Sequence, residues 1–140
     1  MRKETKNGVT YTFETDDLTG EAVDIEVQHG IEYLILEHGL NMPETEKTFS
    51  EVKCLTINRG VKMIEIPNTL FPNVKCVVSK DIRTFESGRY LVSKIGGKTL
   101  KNVFCPAEDE VIEVSDVNYI GAYAFKDCKS TKISTRRYVS

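Results

Sequence analysis

Ile31-Glu-Tyr-Leu34-Ile-Leu36, Val52-Lys-Cys-Leu55-Thr-Ile57 and Val74-Lys-Cys-Val77-Val-Ser79 carry one pattern three times: apolar-x-x-apolar-x-apolar, or close to it, at offsets of 21 and 22 residues. The tripeptide Val-Lys-Cys recurs at 52–54 and 74–76, which sets the register of the repetition. A period of this length is the mark of a solenoid, in which one unit cannot bury its apolar row alone and stacks on its neighbours to do so. The repeat core is therefore expected to contain Leu34, Leu36, Leu55, Ile57, Val74 and Val77. Side chains alternate along a strand, so Tyr33, Cys54 and Cys76 should form one outward ladder, and Ile35, Thr56 and Val78 the next.

A second element follows the repeated strands. Gly60-Val61-Lys-Met-Ile64-Glu-Ile66-Pro67 and Asp116-Val117-Asn-Tyr-Ile120 both place Ile three residues after Val. In a stacked coil this sends a second apolar row inward from the far side. Pro67 and Pro72 lack an N–H, so 67–73 should be irregular. Residues 9–28 break the period and alternate instead: Val9, Tyr11 and Phe13, then Val23, Ile25 and Val27, joined through Asp16-Asp-Leu-Thr-Gly20. This is a hairpin signature, suited to capping the first coil. Residues 89–104 read as another hairpin, with Arg89-Tyr-Leu-Val-Ser93 and Thr99-Leu-Lys-Asn-Val-Phe104 flanking Gly96-Gly97. No segment of helical length keeps a 3.6-residue period; Ala122 to Cys128 has room for one helical turn. The resulting division is a capping hairpin at 1–30, a repeat array with a hairpin insertion near 89–104 at 31–134, and a tail at 135–140.

Ile120-Gly-Ala-Tyr-Ala-Phe-Lys-Asp-Cys128 resembles the I-G-x-x-A-F-x-x-C hallmark of BspA-type leucine-rich repeats, with Ile120, Gly121, Ala124, Phe125 and Cys128 all in place. The segment from Phe85 to Cys128 is similar to a variation of that family in which a hairpin interrupts the array. Val61, Ile64, Ile66 and Pro67 resemble its V-x-x-I-x-I-P run more loosely. The resemblance covers roughly 31–134 and departs from the pattern at Thr131 and from Ile133 to Ser140, as in a degenerate cap or the cut end of a longer array. It implies a mostly β leucine-rich-repeat solenoid with one parallel strand per repeat and little helix, and it adds Ile120, Phe125 and Cys128 to the repeat core. It also implies an interaction protein of ligand or adhesion type, often bacterial and surface-exposed, with no catalytic residues and no cofactor.

Composition agrees with a globular chain: 140 residues, 40% hydrophobic and 29% charged. No apolar run approaches 18 residues, so membrane insertion is not expected. The N-terminus shows no apolar signal region, which leaves a cytoplasmic chain, or a surface or secreted one whose signal has been removed. The net charge of −2 conceals an asymmetry. Residues 1–51 hold 12 acids and 4 bases, and residues 52–140 hold 9 acids and 15 bases. Solvated faces explain this, and so does end-to-end contact between chains. None of the four cysteines forms a C-x-x-C pair, and an apolar chain of this size needs no disulfide framework. Both facts lean towards a reducing compartment. Cys54 and Cys76 share a repeat position. Two inert thiols are the favoured reading, with a cross-strand disulfide or a metal site completed by a third ligand as alternatives.

The outward ladders are neutral and partly apolar on a face that ought to be solvated, which points to a protein or glycan partner. Cover by the 89–104 hairpin or the N-terminus is the competing explanation, and self-association through the open repeat end is the rival function. The remaining candidates read as structure. His29 and His38 each precede glycine, as turn residues do. Asp24, Glu26 and Gln28 line one side of a strand and superficially suit acid–base work. Gly96-Gly97-Lys98-Thr99 lacks the first glycine of a phosphate loop. Lys126, Lys129, Lys132, Arg136 and Arg137 lack the interleaved aromatics of a nucleic-acid surface. A metal centre, nucleic-acid binding and catalysis are therefore not expected.

Overall fold

A computed structural model describes residues 1–14, 20–128 and 133–136, with backbone only at 114, 115 and 133–136. Residues 15–19, Lys129, Thr131, Lys132, Arg137 and the tail beyond 136 lie outside the described residues. Among the described residues the chain is mostly strand, with one short 3-10 turn and stacked parallel strands that wind a β-solenoid of about four turns. Strands β4 (Tyr33–Leu36), β6 (Cys54–Ile57) and β8 (Cys76–Ser79) are consecutive parallel neighbours. They lie in register, Leu34 opposite Leu55 opposite Val77. Leu34, Leu36, Leu55, Ile57, Val74 and Val77 are all buried. Each such side chain contributes roughly 1.5–3 kcal/mol relative to exposure, so the stacked row rather than any single turn holds the array together.

The second apolar row forms where the Val-x-x-Ile spacing placed it. β5 (Leu40–Asn41) pairs in parallel with β7 (Ile64–Glu65), and Ala22 bridges to Leu40 on the other side. Val61, Ile64 and Ile66 turn inward. The corner before β5 is tight: a Cβ on Gly39 would lie 2.7 Å from the Met63 carbonyl oxygen, which requires glycine there. After Pro67 the chain makes the 3-10 turn Asn68–Leu70.

The N-terminal cap has three strands rather than two. β1 (Arg2–Lys6) pairs antiparallel with β2 (Val9–Phe13), which pairs with β3 (Asp24–Val27). The β1 sequence RKETK is too polar to alternate visibly. The Asn7-Gly8 turn, with φ of 53° and 79°, supplies the hairpin signal that composition hides. Val9, Tyr11, Phe13 and Ile25 close the first turn of the core. The Tyr11 hydroxyl donates to the Ile35 carbonyl at 3.4 Å and accepts from the Glu37 N–H at 2.9 Å. Burial pushes this phenol up to about 12.

The second hairpin joins the stack instead of decorating it. β9 (Leu91–Ser93) and β10 (Thr99–Asn102) pair antiparallel across Gly96 and Gly97, and β10 then pairs in parallel with β12 (Tyr119–Ile120). β11 (Ile112–Ser115) pairs in parallel with β13 (Ile133–Arg136), again 21 residues on. Between β8 and β11 the parallel ladder is interrupted. Gly88 bridges antiparallel to Val77, and Arg89 spans the gap, donating to the Val74 carbonyl at 3.2 Å and pairing with Glu110 at 2.9 Å. Two hydrophobic clusters result, a large one running from Val9 to Phe104 and a smaller one around Val92, Leu100, Val103, Ile112, Val117 and Ala124. Ile120, Phe125 and Cys128, expected in the core, are half-buried and pack against the smaller cluster. Ala122 to Cys128 forms a run of i→i+3 turns.

Candidate functional site

Alternation in β4, β6 and β8 directs one ladder outward from each pair of strands. Tyr33 is 77% exposed, Val78 40% and Ile35 36%, and Thr56 lies half-buried between its neighbours. The hairpin at 89–104 and the N-terminal sheet leave these side chains open to solvent.

The middle of the first ladder differs from the favoured reading. Cys54 and Cys76 form a disulfide rather than two inert thiols. In-register parallel pairing sets the two residues directly opposite with Cα atoms 4.8 Å apart, inside the range a disulfide spans. The repeat position set the two cysteines side by side, but composition argued for reduced thiols. Bonded sulfurs are not thiolate ligands, so the metal reading of this pair falls with the thiols. Among the described residues no group of three or more His, Cys, Asp or Glu converges for a metal. Cys54 is buried and Cys76 half-buried, so the bridge ties β6 to β8 beside the exposed Tyr33 ring.

Comparison with protein-family models, curated proteins and solved structures finds no match. The geometry therefore carries the functional argument.

The other candidates resolve into structural contacts. His38 sits edge-on to the rings of Tyr11 and Phe13, with Nε2 3.1 Å from Glu4. His29 lies at a turn completed by Gly30, whose φ is +91°, and its Nδ1 is 2.9 Å from Glu51. Asp24 and Glu26 clamp the Lys47 ammonium at 2.8 and 2.5 Å. Gly96 and Gly97 take positive φ in the β9–β10 turn. No helix among the described residues is long and apolar enough to cross a membrane.

Sequence reasoning missed a buried amide pair. Asn68 and Asn102 are both fully buried. The Asn68 amide donates to the carbonyls of Tyr123, Ala124 and Lys126 at 3.2, 3.0 and 2.8 Å. Its oxygen accepts from the Asn102 amide at 3.0 Å and the Phe104 N–H at 3.1 Å. Asn102 also donates to the Ile66 carbonyl at 3.0 Å. The available signal was an Asn directly after Pro67, which reads as ordinary turn chemistry.

Proposed function

We propose that this chain is a non-catalytic repeat module of leucine-rich type, similar to the BspA-like repeats, which docks a protein or glycan partner on the outward face of β4, β6 and β8. The observation that supports this reading is the exposed ladder of Tyr33, Ile35 and Val78 over the Cys54–Cys76 bridge. An open aromatic and aliphatic surface on a rigid sheet loses little entropy when covered, and tyrosine is among the residues that dominate binding energy. The disulfide supports a working place in an oxidising compartment, such as the cell surface or the secreted space.

The double variant Tyr33→Ala/Ile35→Ala tests the face. Both side chains are exposed, so folding stability should change by no more than about 0.5 kcal/mol. Capture of native-host partners should fall by tenfold or more, since losing a hot-spot aromatic costs about 2 kcal/mol or more. Recovery of the same partners by the double variant removes the face from consideration. A second reading, self-association, draws on β13, which among the described residues pairs with β11 alone and so leaves one strand edge to extend. Light scattering at two salt concentrations separates the two: a monomer at every protein concentration excludes self-association and leaves the docking face.

A further inference from the structure

Where the parallel ladder breaks between β8 and β11, the chain leaves a cleft of about 170 Å³. Val92, Leu100 and Val117 line its apolar part, and Glu86, Arg89, Tyr90 and Glu113 are among the residues that line the rest. The volume lies below the roughly 300–1,000 Å³ of ordinary small-ligand pockets and suits a single side chain better than a free metabolite. The cleft adjoins β8, since Gly88 lines it and bridges to Val77. In β11 Ile112 is buried, and Glu113, which lines the cleft, is exposed.

The charges around the cleft are not equivalent. Glu86 is paired with Lys98 at 2.7 Å, and Arg89 is paired with Glu110 at 2.9 Å. Glu113 carries no ion pair among the described residues. The Tyr90 phenol, held by a backbone hydrogen bond to Glu113, keeps an aromatic wall beside that carboxylate. An apolar trough bordered by a carboxylate that has no ion pair among the described residues, the other charges of its lining being paired, is complementary to a long aliphatic stem with a cationic head.

We propose that this cleft holds a lysine or arginine side chain of the protein partner that docks on the adjoining ladder. This rests on the docking reading above and chooses the protein class within it. The partner segment would set an apolar side chain against Tyr33, Ile35 and Val78 and its basic side chain in the cleft.

The test is titration of the intact chain with Nα-acetyl-lysine methylamide, followed through the backbone amide resonances of Gly88, Tyr90 and Glu113. Saturable shifts at these amides are expected, with weaker binding of the norleucine analogue, which has the stem without the ammonium. Glu113→Gln should weaken lysine binding about two- to fivefold, the range set by a solvent-exposed ion pair, and 0.5 M salt should weaken it similarly. Three results each overturn the proposal: no saturable shift with the lysine probe, equal binding to Glu113→Gln, or shifts at the same amides with N-acetylglucosamine and none with lysine. The last would assign the cleft to a glycan. The Tyr33→Ala/Ile35→Ala variant should bind the lysine probe as the parent does. Probe binding by a variant that still captures partners refutes the face alone, and lost capture without probe binding in the parent refutes the cleft alone.

Discussion

Replacing Asn68 with leucine is expected to lower folding stability by about 3–5 kcal/mol, because each buried polar group left without a partner costs roughly 1–3 kcal/mol. Leucine has the same branched skeleton and leaves no cavity, so the loss reports the missing hydrogen bonds together with the extra bulk of two methyl groups. The substitution strands the Phe104 N–H and part of the Asn102 amide, and it removes the donor to three carbonyls of the 123–126 turn. Phe104 and Cys105 both hold positive φ, 57° and 46°, a conformation that non-glycine residues keep only when their surroundings impose it. The Asn68 oxygen is part of that imposition. Asn68→Asp should also destabilise strongly, since a carboxylate accepts but does not donate and brings a charge into a dry site. Urea unfolding followed by circular dichroism measures both variants. A loss below about 1 kcal/mol for Asn68→Leu would show that the amide is replaceable by packing. The double variant Asn68→Leu/Asn102→Leu should lose less than the sum of the two single variants, because removing both partners strands fewer groups.

Removing the cross-strand bridge is the second large effect. The disulfide closes a loop with a sequence separation of 22 residues, one turn of the solenoid. Chain-entropy arguments assign such a loop about 3 kcal/mol, through restriction of the unfolded ensemble. Cys54→Ala/Cys76→Ala should therefore melt about 10 °C below the parent, at roughly 3–4 °C per kcal/mol for a domain of this size. Reductant should lower the parent's midpoint towards the variant's and leave the variant unmoved. Equal midpoints for oxidised parent and variant would show that the eight backbone partners of β6 and β8 hold this turn without help.

The repeated row was legible because its cause is local and periodic. A recurring Val-Lys-Cys at 22 residues forces Cys54 opposite Cys76 once strands stack in parallel, and alternation then decides which side chains face outward. Tyr33, Ile35, Thr56 and Val78 could be set on one face for that reason. The two-strand alternation of Val9–Phe13 and residues 23–27 was legible in the same way. What escaped depends on contacts far apart in sequence. β10 enters the stack beside β12 after a hairpin that hides its period. Asn68 and Asn102 meet across 34 residues, and nothing local distinguishes a buried amide from a turn amide. Arg89 and Glu110 are likewise an ordinary surface pair until the gap they span is known. The disulfide lay between these cases: its registry was readable, but its oxidation state follows from the compartment rather than from spacing.

The break at Gly88 divides the molecule in another respect. The parallel ladder runs unbroken from β4 to β8 and resumes only in the pairs β10–β12 and β11–β13, while the larger apolar cluster reaches across the break to Leu91 and Phe104 and the smaller one lies wholly beyond it. In a linear array, stability is a sum over neighbours, and the weakest junction sets where the chain opens first. Here that junction is held by the Gly88 bridge, the Arg89 guanidinium and the two asparagines. The smaller C-terminal cluster is therefore expected to exchange its amide hydrogens through sub-global opening while the turns from β4 to β8 stay closed, as two cooperative units within one continuous winding would.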